Sequence, residues 1–237
     1  MKLTINFLFL LATTVLLSCN MGGSRISGTG PIIEDTRMLT AVNEVVLDGS
    51  MRVELRAADV QSIIVYAQAE VQPVLMTNLK GETLTITTEG NVSMGEGTYV
   101  SISLPMLKSV TNDGSGSIAG GGFSGDKLSV TCKGSGSVTL DELVFDDYSV
   151  KLSGSGDAEL AGRGKKLDVE TGGSGDIKAS ELVVDKAKAT TKGSGSISVA
   201  VGGDLKAKIT GSGSITYKGS PKVDLEDSGS GELKGSN

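Results

Sequence analysis

The chain has 237 residues, 34 of them glycine, with four tyrosines, four phenylalanines, two cysteines and neither tryptophan nor histidine. Without imidazole there is no Ser-His-Asp or Cys-His nucleophile system, no paired-histidine zinc helix and no histidine pH switch. Its 22 Lys and Arg against 28 Asp and Glu leave a formal charge of −6, the wrong sign for nucleic-acid binding, which runs on concentrated positive charge.

Residues 3–17 (LTINFLFLLATTVLL) are apolar behind Lys2. They are too short to span a bilayer comfortably and stand where the hydrophobic region of a secretory signal belongs. The stretch ends at Leu16-Leu17-Ser18-Cys19, which resembles the lipobox of bacterial lipoproteins. That resemblance implies cleavage between Ser18 and Cys19, acylation of Cys19 and a mature chain held at a membrane without crossing it; a signal peptide that merely contains a cysteine is the alternative. Each buried methylene contributes ~0.8 kcal/mol, so more than one acyl chain makes a stable anchor. Residues 1–18 then form a lipoprotein signal peptide. Residues 19–34, rich in Gly and Ser without alternation, form a lipidated flexible tether. The expected location is the cell envelope, at the outer membrane; no acidic run follows Cys19, so surface display is not indicated. With Cys19 acylated, Cys132 is the only other thiol and no intrachain disulfide can form. It shares parity with Leu128 and Val130, which predicts a small core hydrophobe.

Residues 35–113 alternate as strands: Val45, Leu47, Gly49, Met51, Val53 and Leu55 share one parity, followed by Ile63 and Val65, Leu84 and Ile86, and Val100, Ile102 and Leu104. They are expected to form irregular coils that cap the regular region, with a separate small β domain as the alternative.

From residue 114 a Gly-Ser-Gly triplet recurs, opened by Gly114, Gly134, Gly154, Gly173, Gly193, Gly211 and Gly229. A random linker has no reason to keep such a period. Parity carries through each triplet, as from Leu205, Ala207 and Ile209 across Gly211 and Gly213 to Ile215 and Tyr217. The glycines therefore take the inward positions of a corner, with serine outward, and each repeat is expected to hold two or three short strands. A unit of roughly 20 residues buries about five apolar side chains at ~1.5–3 kcal/mol each, against ~1–2 kcal/mol per residue of backbone ordering, so one unit cannot fold alone. Stacking solves this. The expected fold is all-β: a right-handed parallel β-helix of about 18–20 residues per coil over 114–237, a rod of roughly 30–35 Å. A sandwich needs no period and a propeller blade needs roughly twice this one. At the far end Tyr217, Pro221 and Lys234 are the expected covering devices.

The repeated corners, residues 209–221 (ITGSGSITYKGSP) and residues 227–232 (DSGSGE) resemble the "putative auto-transporter adhesin, head GIN" domain family over about residues 39–234. That resemblance implies a right-handed parallel β-helix, an envelope location and an adhesin-like role, and supplies no catalytic residue. Asp157 and Asp176 depart from the serine form of the triplet.

No catalytic residue, metal site or cofactor is expected. Asp157 and Asp176 occupy equivalent positions, which makes a weak calcium site conceivable; solvated corner residues are the plainer reading. The acidic clusters Asp141-Glu142 and Asp146-Asp147 read as solvated edges, and no triplet carries the Lys-Ser/Thr of a phosphate loop. The outward serines Ser115, Ser135, Ser155, Ser174, Ser194 and Ser212 should form a ladder, either hydrating the rod or meeting a glycan or envelope protein. The function expected is a non-catalytic, lipid-anchored, adhesin-like contact module. An envelope scaffold or stress-response component is the alternative, and a polysaccharide lyase needs long loops that repeats this short do not supply. Oligomeric state is open.

Overall fold

The computed structural model describes residues 25–39 and 41–236; Ser18 and Cys19 lie outside them. The chain is a β-solenoid. Its regular part stacks Ser124–Cys132, Ser137–Leu152, Ala158–Thr171, Ile177–Thr191 and Ile197–Ile209, each parallel to the next. One inward column runs Val110, Val130, Val150, Val169, Ala189, Ala207, and another runs Ile118, Val138, Ala158, Ile177, Ile197, Ile215. All twelve are buried. These β-branched and small residues suit a pleated surface packed on one side, and each column buries the next rung's equivalent residue.

Between triplets the path is a single strand of 13 to 16 residues, not two or three short ones. The strand continues through the bends between faces and ends at each Gly-Ser-Gly corner. Differences in repeat length are absorbed on one side, where the register slips at Leu140/Leu143, Glu159/Ala161 and Ala179/Val183 and Glu142 takes a left-handed φ of 50°.

The amino-terminal half follows a different order. Glu44–Asp48 and Arg52–Ala57 pair in parallel with Ser109–Asn112 and Ser117–Gly121. On their other side lie Thr83–Thr88 and Tyr99–Leu104, also parallel. Beyond those, Ser62–Gln68 and Leu75–Lys80 run antiparallel, and Ile32–Thr36 is antiparallel to Ser62–Gln68. The chain thus lays one rung, steps outward, returns, and crosses back over its first rung before the regular stack begins. The purely parallel expectation is corrected here: reversing strand direction at the end gives a rung that a short turn can connect, whereas a parallel one needs a full coil. Within residues 26–34, expected in the tether, Ile26–Ser27 instead docks on Val92–Ser93, and residues 32–34 open the strand Ile32–Thr36 on the sheet.

At the other end, no described residue covers the strand Lys222–Asp227. Lys222–Asp227 is exposed along its length, Val223 at 37% and Leu225 at 46%. Tyr217 packs partly against the core and Lys234 pairs with Glu232 at 2.6 Å, so these residues do not cover the last rung. Lys222, Asp224 and Glu226 put charge along that edge, which discourages strand addition.

Candidate functional site

The triplet glycines form two columns. A Cβ built on Gly134, Gly154, Gly173, Gly193, Gly211 or Gly229 would lie under 3.0 Å from the carbonyl oxygen of the first glycine one rung earlier, and Gly114 meets Gly49 in the same way. The second glycines, such as Gly156 over Gly136, repeat the collision. None of these has a left-handed φ. Glycine is required because backbone passes against backbone at the corner, not because of an unusual dihedral. Those carbonyls also accept from the next rung, Ser155 N–H to Gly134 at 3.2 Å and Ser194 N–H to Gly173 at 3.0 Å. The outward serines are exposed.

Two residues before a triplet, an inward polar side chain can hold the corner from within. Asn112 donates to the Gly116 carbonyl (2.8 Å) and accepts from Gly114 N–H (3.1 Å), while Thr191 Oγ1 donates to the Gly195 carbonyl (3.1 Å). Sequence reading missed these residues; their fixed offset from the triplet is the signal that marks them.

Cys132 is buried, and burial, with the nearby Asp157 carboxylate, pushes its thiol up to about 12. Thiolate is the reactive form, so iodoacetamide at pH 8 should leave the folded protein unmodified and alkylate Cys132 only after denaturation, as read by mass spectrometry. Asp157 Oδ1 accepts from Asp176 N–H at 3.0 Å and Oδ2 faces Lys178 Nζ at 2.9 Å, while Asp176 accepts from Ser196 N–H at 2.7 Å. These carboxylates bridge rungs, and among the described residues no group of three or more Asp, Glu, Cys or His is placed to hold a metal. The Asp176 amide, then Lys178, hold the Asp157 carboxyl below its ordinary value. A depressed folded value means stability that is present above the unfolded pKa of ~3.9 and is lost as pH falls through the folded value. Asp157→Ala should therefore flatten the acid limb of a stability-versus-pH curve while lowering the neutral plateau slightly.

The acidic clusters divide. Asp146 pairs with Lys165 at 2.8 Å across a rung, whereas Asp147 faces a groove of about 910 Å³ along one side of the solenoid. One wall is the register column Lys127, Asp147, Lys166, Lys186, Asp204, Lys222, and the other is Ser149, Asp168, Lys188, Lys206, Asp224. Between them runs the column of Tyr148, Leu167, Ala187 and Leu205, whose side chains are buried. With rungs ~4.8 Å apart the groove extends about 24 Å. Six lysines against four aspartates make it locally positive on a chain of charge −6. Lys186 pairs with Asp204 at 3.0 Å and Lys188 with Asp168 at 3.9 Å; among the described residues Lys127, Lys166, Lys206 and Lys222 have no ion pair within 4.0 Å. Nothing here has the paired carboxyls around a scissile bond that glycoside hydrolysis needs.

The family described as "Putative auto-transporter adhesin, head GIN domain" matches residues 41–221. The chain belongs to this family. By that membership it is a head GIN domain protein of an adhesin-like family. Three solved structures share the fold. They are a "putative adhesin" of Bacteroides fragilis (TM-score 0.84, 23% identity, 89% of this chain and 99% of that one), a "putative lipid binding protein" of Parabacteroides distasonis (0.75, 24%, 90% and 100%) and a "putative adhesin" of Parabacteroides merdae (0.70, 20%, 91% and 100%). No curated protein matches the chain.

Proposed function

We propose that this head GIN domain is a lipid-anchored envelope protein that uses its charged groove to hold an extended partner, a glycan or a strand of another envelope protein. The observation that carries this is the groove itself, since one pair of wall positions recurs in five successive rungs and offers polar contacts at a fixed pitch. Recognition by such a surface gains affinity from repeated weak contacts on one ligand. The apolar run ending at Cys19 supports acylation there and a short tether to the outer membrane. A right-handed coil of 18–20 residues, with Gly114, Gly134, Gly154, Gly173, Gly193, Gly211 and Gly229 as its corners, agrees with the general handedness of parallel crossovers.

Two experiments test this. Cells fed a labelled fatty acid should label the wild-type chain and not Cys19→Ser, which should leave the membrane fraction; membrane retention of Cys19→Ser would contradict anchoring at that residue. On a glycan array, residues 20–237 should bind a discrete set of polymers, and Ser149→Trp, which plugs the groove wall, should abolish the signal. Equal binding by the plugged variant would rule out the groove as the contact face.

A further inference from the structure

Within the groove, lysines stand next to lysines. Lys166 is the register partner of Lys186 on one wall, and Lys188 is the register partner of Lys206 on the other. Like charges one rung apart destabilise a sheet, and outside the groove lysines meet acids across rungs, Lys178 with Asp157, Lys192 with Glu170 and Lys208 with Glu226. The groove centre keeps four lysines together with only Asp168 and Asp204 between them.

We infer that the groove takes an acidic polysaccharide, an inference that rests on the contact reading above and names its ligand class. A polymer lying along the groove would place anionic groups against Lys166/Lys186 and Lys188/Lys206, relieving the repulsion of both pairs. Its hydroxyls would donate to Asp168 and Asp204, which accept hydrogen bonds and cannot donate them at neutral pH. This mixture decides between anionic ligands. A polyphosphate has no hydroxyl along its chain and meets two repelling carboxylates; a polyhydroxylated polyanion satisfies both kinds of side chain. The lysines are point charges on flexible stems, without the planar fork with which arginine selects phosphate, and the groove contains no arginine.

The test is titration calorimetry of residues 20–237 with polygalacturonate oligomers, neutral dextran oligomers and inorganic polyphosphate, using wild type and the double variant Lys166→Gln/Lys206→Gln. Both lysines are exposed and without an ion pair among the described residues, so the variant orphans no carboxylate, and an unchanged melting temperature verifies its fold. Polygalacturonate should bind wild type, weaken as ionic strength rises, and lose about tenfold or more in affinity in the double variant. Polyphosphate binding as well as polygalacturonate would overturn the assignment to a polysaccharide. Dextran binding alone, removed by Ser149→Trp, would overturn the acidic class and leave the groove as a contact face. Acidic binding that survives the double variant would overturn the lysine assignment, and failure of all three polymers would overturn the inference, while the array result with Ser149→Trp decides the contact reading separately.

Discussion

Gly156→Ala should lower the stability of the protein by about 3 kcal/mol or more, beyond the usual range for one added methyl. A methyl inserted into a side-chain core is accommodated by rotamer changes nearby. Here it meets the Gly136 carbonyl at under 3.0 Å, and that carbonyl belongs to a backbone held on both sides by parallel ladders. Relief requires two rungs to separate at the corner, which breaks hydrogen bonds such as Gly156 N–H to Gly134. For a chain of this size the melting temperature should fall by roughly 6–12 °C. Ser155→Ala, one residue away on the exposed parity, should change stability by no more than ~0.5 kcal/mol. Gly231→Ala makes the same collision in the last rung, yet should cost much less, because a terminal strand can fray without opening the stack. Equal effects at Gly156 and Gly231 would mean that the columns do not act through rung stacking.

Removing residues 173–192 should leave a folded, shorter solenoid. The deletion joins Gly172 to Gly193 and regenerates a triplet, so Ala158–Thr171 would stack directly on Ile197–Ile209. The new inward neighbours are Ala158 with Ile197, Leu167 with Leu205 and Val169 with Ala207, which are residues of the kinds already stacked across the lost rung. Thr171 Oγ1, which now donates to the Gly175 carbonyl, would meet that of Gly195. Calorimetry should show one cooperative transition whose unfolding enthalpy is lower by about 14 kcal/mol, from ~0.7 kcal/mol for each of the 20 residues removed. Removing only residues 173–182 deletes the corner and throws every downstream residue out of register. That variant should fail to fold. A nearest-neighbour stack predicts this contrast; an ordinary sandwich would lose its fold in both cases.

The period was legible because it is physical. The distance between triplets equals the distance between register partners, so Val130 falls on Val150 and Val169 on Ala189. The order of the amino-terminal rungs was not legible, since Ile63 and Val65 alternate identically whether their strand runs parallel or antiparallel to its neighbour. Nothing in the alternation of Val45 to Leu55 says that two later rungs will be laid outside it. Strand length was misjudged because the inward parity of Val138 to Leu152 continues through bends that do not end the strand. The groove required the bend angle of the rung, which no pattern encodes, but its walls left a trace: Lys127, Asp147, Lys166, Lys186, Asp204 and Lys222 each stand seven residues before a triplet. Aligning the repeats on their glycines, and reading down the charged columns, exposes the adjacent lysines.

Both the corners and the groove depend on a single translation from rung to rung. Pulsed electron spin resonance on labelled cysteines measures it, with pairs Ser135/Ser194, Ser135/Ser212, Ser115/Ser212 and Ser115/Ser230 introduced in a Cys132→Ala background. The separations should grow linearly, by about 4.8 Å for each rung between the labels. Separations that do not increase from three rungs to six, or that scatter without regard to rung number, would contradict the stacked arrangement and with it the groove.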